Sequence, residues 1–265
     1  MGIFFIIVLF MILIIGIYGI FIEPNMLLVT KYKIKDVALK GIKLVFVSDF
    51  HIRKYQEKRL KKVISLVNDQ NADIVLSTGD YIAKHSLKAS LCAKKIAENI
   101  SKIKSNYGFY TTLGNHDGKR GEGSITSALQ KYGIKILKNE NIPVKIGKTT
   151  VYIAGIEDYQ SGRPSIPTAL SDTKKPVILL THNPDMFTDV PNSVNLTLAG
   201  HTHGGQIKLP IIGALIIPSI YRNRFASGYI EENGRKMIVT KGIGTSILPV
   251  RINCIPEIVV IEFED

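Results

Sequence analysis

LVFVSDFH, residues 44–51, sets four apolar residues in a row before a serine, an aspartate, a phenylalanine and a histidine. The run is too short for a helix and rich in β-branched and aromatic side chains. It reads as a strand, with its chemistry loaded at the carboxyl end. The same design recurs in DIVLSTGD (73–80), YGFYTTLGNHD (107–117), VILLTHNP (177–184) and LTLAGHTHGG (196–205). Helical spacing lies between the early runs: Leu60, Val63, Ile64 and Val67, then a stretch over 87–104 with Leu91, Ile96, Ile100 and Ile103. Strands alternate with helices early and dominate late, the pattern of a layered α/β fold. Ligands in such folds gather beyond the carboxyl ends of strands, where all five polar clusters fall. There is no internal repeat and no linker-like composition, so residues 31–265 read as one domain.

The metal-capable side chains at these strand ends are Asp49, His51, Asp80, Asn115, His116, Asp117, His182, His201 and His203. Five of the chain's 6 histidines are among them; His85 falls outside and reads as a surface residue. Mixed imidazole and carboxylate ligation suits Mn, Fe or Zn. In extended backbone, residues i and i+2 point the same way, so Asp49 and His51 can reach one ion together. His201 and His203 can share a side of their loop for the same reason. Nearby Gly79, Gly114, Gly200, Gly204 and Gly205 allow sharp turns and close approach. Second readings stay open for three residues: Asn115 as a helix cap, Asp117 as a turn residue before Gly118, and Asp158 as site-facing or a plain loop residue. Two cysteines, Cys92 and Cys254, form no close-spaced motif and argue against a Cys-type zinc site.

The ordered blocks Asp49-Phe50-His51, Gly79-Asp80, Gly114-Asn115-His116-Asp117, His182 and Gly200-His201-Thr202-His203 resemble the calcineurin-like metallophosphoesterases. That resemblance implies a sandwich of two central β-sheets flanked by helices. It implies two divalent metal ions, with Asp49, His51 and His203 at one, Asn115, His182 and His201 at the other, and Asp80 between them. It also implies catalytic roles for His116, near the leaving oxygen, and for Asp117, which orients it. Such ion pairs, ~3.5–4 Å apart, clamp the attacking and leaving oxygens of an in-line displacement. The expected activity is phosphodiester or pyrophosphate hydrolysis, and the expected ion is Mn, with Fe or Zn as alternatives.

Residues 3–22 carry no charged side chain, and 20 apolar residues match the ~20 that cross a bilayer. With no basic start and no small-residue cleavage site, the segment reads as an uncleaved anchor within residues 1–30, not a signal peptide. Lys31, Lys33 and Lys35 follow it, and no Lys or Arg precedes it, a bias that predicts the domain on the cytoplasmic side.

A net charge of +12 admits nucleic acid, anionic membrane or anionic substrate, but 26 Lys against 8 Arg also fits a compositional bias. Lys54, Lys58, Lys61 and Lys62 form one stripe at helical spacing, either a membrane-facing or a merely solvated face. The apolar segment 209–218, bounded by Pro210 and Pro218, reads either as a shelter for acyl chains or as a buried strand. Anchor, stripe and apolar flank together point to an anionic, lipid-linked phosphoester substrate. The run GIGTSILPVRINCIPEIVVIE (242–262) resembles the membrane-anchored bacterial branch of the family. That branch includes phosphodiesterases and UDP-2,3-diacylglucosamine hydrolases, which release UMP in lipid A synthesis. A broad phosphodiesterase for envelope or nucleotide diesters is the alternative. A scaffold without activity is disfavoured by the full ligand set, and no recognisable nucleic-acid motif is present.

Overall fold

The first half of the chain lays down β1 (Leu28–Lys35), β2 (Lys43–Val47), β3 (Ile74–Ser77), β4 (Phe109–Thr111) and β5 (Lys135–Ile136). The second half lays down β6 (Glu140–Ile146), β7 (Thr149–Gly155), β8 (Val177–Thr181) and β9 (Leu196–Ala199). A small hairpin follows, β10 (Lys208–Leu209) and β11 (Gly213–Ala214), then β12 (Gly228–Glu232), β13 (Arg235–Val239) and β14 (Glu257–Glu264). In this computed structural model, which describes residues 2–83 and 91–265, the strands form two six-stranded sheets. One has the order β1-β14-β2-β3-β4-β5 and the other β12-β13-β9-β8-β7-β6. The last strand returns to the first sheet and seats itself between β1 and β2, parallel to one and antiparallel to the other.

The alternation within β2 explains the layering. Leu44 and Phe46 point into the space between the sheets and meet Ile178, Leu180, Leu196 and Leu198 of the second sheet. Val45 and Val47 point the other way, against a helical layer. That layer is α2 (Glu57–Asn68), α3 (Ala93–Ile100) and α4 (Asn115–Lys131). Helix α2 buries Leu60, Val63, Ile64 and Val67, the four residues whose spacing marked it as a helix. The far face of the second sheet is covered by Phe187, Phe225 and the short α5 (Ile166–Ala169). The central strands β2, β3, β8 and β9 are therefore buried on both faces and are near-continuous apolar runs, while the outer strands β1, β6 and β12 are partly exposed.

At the N-terminus, α1 (Gly2–Ile17) opens one helical stretch, Gly2–Asn25, 24 residues long and apolar enough to cross a membrane. Its side chains stand exposed from Ile3 to Phe5 and onward, while Gly19, Glu23 and Pro24 are buried against the domain.

Three expectations change on folding. Lys54 stands in a 3-10 turn, Lys54–Gln56, ahead of α2 rather than on the helix; Lys58, Lys61 and Lys62 are on it and exposed. The helical stretch over 87–104 is realised as α3 alone within the described residues; His85 and residues 87–90 lie outside them. Residues 209–218 are not a buried strand: they carry the β10–β11 hairpin, and Ile211, Ile212, Leu215 and Ile216 are exposed.

Leu198 is fully buried between the sheets, so Leu198→Ala removes packing on both sides of the interlayer. The expected cost is about 3 kcal/mol, read as a shift in the urea midpoint of the detergent-solubilised protein at unchanged slope. A cost below about 1 kcal/mol would show that the interlayer closes around the loss.

Candidate metal centre

The strand ends of the two sheets deliver the site. β2 runs into Asp49 and His51, β3 into Asp80, β4 into the first turn of α4 with Asn115, His116 and Asp117. From the second sheet, β8 runs into His182 and β9 into His201 and His203. All nine side chains belong to buried residues, and the structure brings all nine together.

The pairing does not use strand alternation. Asp49, His51, Asp80, His201 and His203 all adopt left-handed backbone, with φ of 54°, 43°, 55°, 70° and 51°. Residues with side chains enter this region at a cost of order 1–3 kcal/mol each, and such strain gathers at functional sites. These kinks turn the side chains inward just past the strand ends. Two glycines give the needed room: a Cβ on Gly114 would overlap the Asp80 carboxylate, and one on Gly200 would overlap that of Asp49.

Asp80 lies at the centre. Its Oδ2 is 3.3 Å from Nε2 of His182, 3.6 Å from Nε2 of His51 and 4.0 Å from Nε2 of His116. Its Oδ1 accepts the backbone N–H of His116 at 2.8 Å. On one side, Nε2 of His203 lies 3.5 Å from Asp49 Oδ1 and 3.0 Å from Nε2 of His51. On the other, Nε2 of His182 lies 3.1 Å from Asn115 Oδ1 and 3.2 Å from Nδ1 of His201. His201 and His203 thus face different halves of one cluster. Asn115 is not a helix cap; its oxygen faces the cluster and Gly114 holds the capping position.

The donor chemistry fits cations. Nδ1 of His182 faces the carbonyl of Thr78 at 2.8 Å, and Nδ1 of His51 faces that of Ile82 at 3.1 Å. A carbonyl only accepts, so both Nδ1 atoms carry hydrogen and both Nε2 atoms face the cluster, free to coordinate once any proton on them is lost. Lone pairs of imidazoles, two carboxylates and an amide oxygen then converge in a space shielded from water. Asp49, His51 and His203 offer ligand atoms within 4.8 Å of one another, as do Asp49, Asp80 and His182. Electrostatics reports the same crowding. Burial pushes the Asp49 carboxyl up, opposed by His182. Burial also works against ionised Asp80, yet the charges of His182, His116 and His51 hold it well below the usual range. Burial disfavours a charged His182, but Asp80 outweighs it and lifts the imidazole to about 10. Burial and the His182 charge push His201 down to about 3.

Asp117 works through the backbone. Its Oδ1 accepts the N–H groups of Tyr81 and Ile82, at 3.0 and 3.1 Å, and its Oδ2 that of Gly114 at 3.3 Å. It ties the turn after Asp80 to the start of α4, which carries His116. Burial and the neighbouring Asp80 charge raise its carboxyl to about 7.

Two contributors escaped the sequence reading, Gln160 and Arg251, while Asp158 was among its open candidates. Gln160 accepts from Nδ2 of Asn115 at 3.2 Å, and its amide nitrogen lies 3.2 Å from Nε2 of His201. Asp158 builds the loop beneath it, accepting from the N–H of Gln160 and of Ser161. Arg251 is fully buried, donates to the carbonyls of Lys241, Gly242, Gly244 and Cys254, and reaches within 3.4 Å of Nδ1 of His203. The stretch GIEDYQ (155–160) and the arginine of 242–262 were visible, but nothing local in sequence says that they fold over the cluster.

A two-layer sheet sandwich with such a cluster at its strand ends defines a metal-dependent phosphoester hydrolase. The chain belongs to the calcineurin-like phosphoesterase family, whose model matches residues 42–205. It is 32% identical to the uncharacterised metallophosphoesterase YkuE of Bacillus subtilis, over 92% of this chain and 87% of that one. It is 28% identical to the phosphodiesterase YaeI of Escherichia coli, over 92% of this chain and 91% of that one. The NAD nucleotidase NadN of Haemophilus influenzae shares the fold, at a TM-score of 0.51 and 18% identity over 76% of this chain and 45% of that one.

Asp117→Ala leaves three backbone donors without their acceptor. The expected loss is at least about 3 kcal/mol of stability, seen in a thermal melt, with Asp117→Asn recovering most of it. An unchanged melt for the alanine variant would show that the carboxylate is not needed to hold this turn.

Proposed function

We propose that the protein is a membrane-anchored phosphodiesterase that holds two divalent cations, Mn among the candidates, and cleaves a lipid-linked phosphodiester or pyrophosphate. The observation that carries this reading is the convergence of Asp49, His51, Asp80, Asn115, His182, His201 and His203 on one buried space beside His116. Cations held there would offset phosphoryl charge and make a water acidic enough to ionise near neutral pH. The chain's own residues do the rest. Asp80 lies between the two halves of the cluster and also fixes the backbone of His116. His116 sits in the first turn of α4, its ring 4.6 Å from that of His51, and serves as the proton donor to the departing oxygen. Gln160 steadies Asn115 and His201 from behind.

The anchor reading, residues 1–30 before a catalytic domain of 31–265, rests on the 24-residue apolar helix. The lysines on β1 favour the cytoplasmic side of the inner membrane. UDP-2,3-diacylglucosamine is one substrate of the proposed class, and UMP release tests it directly. Hydrolysis of a soluble aryl phosphodiester without UMP release would keep the mechanism and point to other envelope or nucleotide diesters.

His116→Ala is expected to lower turnover of a soluble aryl phosphodiester by about 100-fold or more, while elemental analysis finds unchanged metal content. Metal loss in that variant would place His116 among the ligands instead. Chelation is expected to lower the melting temperature by about 5 °C or more, with recovery on adding Mn. A melt indifferent to chelator and to added metal would argue against a resident ion.

A further inference from the structure

Among the described residues of the domain, the hairpin that follows His203–Gly205 is the most exposed apolar feature. β10 pairs with β11 through Lys208↔Ala214 and Leu209↔Gly213, leaving Pro210, Ile211 and Ile212 at the tip. Ile212 and Ile216 are 70% and 77% exposed, and Ile211 is fully exposed. Ile211 also has φ of 68°, a region β-branched residues rarely enter. Water-exposed isoleucines gathered on one turn gain free energy when something apolar covers them. Contiguous apolar surface of this kind marks an interaction site.

What covers it follows from connectivity. Lys208 N–H donates to the carbonyl of Ile252 at 2.9 Å, and Ile252 N–H donates to that of Gln206 at 3.0 Å. The neighbouring Arg251 N–H donates to the carbonyl of Gly19 in the apolar helix at 2.9 Å. A Cβ on Gly19 would meet Ile252 and the Arg251 carbonyl, so the helix packs directly on this segment. The Glu23 carboxylate accepts the N–H groups of Asn253 and Cys254. The hairpin base and the helix end thus flank one short stretch, 251–254. Exposed Ile247 and Leu248 adjoin it, and Gln206 donates to the Leu248 carbonyl at 2.8 Å. Arg222 lines a recess with Leu215 and Ile216, a guanidinium beside the apolar patch.

We infer that the β10–β11 hairpin, with residues 215–220 and the 247–248 turn, is a bilayer-contact surface that enters the membrane crossed by the N-terminal helix. The turn bearing His203 leads directly into this surface, so the cluster is held close to the headgroup layer. Arg222 supplies a cation for headgroup phosphate. The substrate is then a phosphoester of a membrane lipid, taken from the layer without leaving it. This rests on the proposed anchor, and the experiment separates the two.

The chain has no Trp, so single-Trp variants report without background. Ile12→Trp, Ile212→Trp and Val37→Trp, each in the full chain, go into phosphatidylethanolamine–phosphatidylglycerol vesicles with brominated acyl chains. Val37 is exposed and lies beyond the far end of β1, roughly 26 Å along an eight-residue strand from the helix. Bromine is expected to quench positions 12 and 212 and to spare position 37. Quenching at 12 without quenching at 212 overturns the inference and leaves the anchor. No quenching at 12 overturns the anchor and the inference with it. As a second measurement, the paired Ile212→Ser and Ile216→Ser changes are expected to slow hydrolysis of a vesicle-borne lipid phosphodiester by about tenfold. Turnover of a soluble aryl phosphodiester is expected to stay within about twofold. Equal losses on both substrates would mean that the hairpin shapes the cluster instead of meeting the bilayer.

Discussion

One carboxylate oxygen of Asp80 stands within 4.0 Å of three imidazole nitrogens, and the other holds the backbone of His116. That contact can exist only if the ends of β2, β3, β4 and β8 arrive at one point. It therefore sets the separation and offset of the two sheets. The interlayer of Leu44, Phe46, Ile178, Leu180 and Leu198 makes the arrival rigid. Without that packing, side chains that repel one another when charged would drift apart and take on water.

The cluster is arranged against its own electrostatics. Ionised Asp49 and Asp80 oppose burial, and His182 gains a proton to balance them while His201 and His203 are driven neutral. A divalent cation held by these residues would supply a larger balancing charge, and metal binding of this kind releases protons. The left-handed backbone at five of the residues is strain of the same origin. Local conformation is given up so that ligand atoms can converge.

Much of this was legible in the chain. Each of the five strands is buried on both faces, so each shows as a short apolar run that ends abruptly in polar residues. The face of α2 was equally plain, because Leu60, Val63, Ile64 and Val67 pack on the sheet while its lysines do not. The candidate ligands stood out because histidines seldom gather at strand ends. What stayed hidden depends on long-range approach. Nothing near β1 announces that it pairs with β14, more than 200 residues away. Gln160 and Arg251 carry no local signature, since their roles exist only once loops fold over the cluster. The alternation argument for Asp49 and His51 failed because it assumed extended backbone where the chain kinks. The hairpin could be read as an apolar run, but not as an exposed one.

The Glu23 carboxylate closes a path from the apolar helix to the cluster: Glu23 to the Cys254 backbone, Cys254 to Arg251, and Arg251 to His203. Its consequence concerns how the domain can be separated from its helix. A chain begun at Leu28 would keep every strand, yet leave the N–H groups of Asn253 and Cys254 without the acceptor they use here. The loop that steadies Arg251 would then be free to reorganise, and the ligand beside it with it. A soluble form that preserves the native cluster should begin no later than Gly19, whose carbonyl is the first the domain uses, and should thin the apolar residues just beyond it instead of removing them.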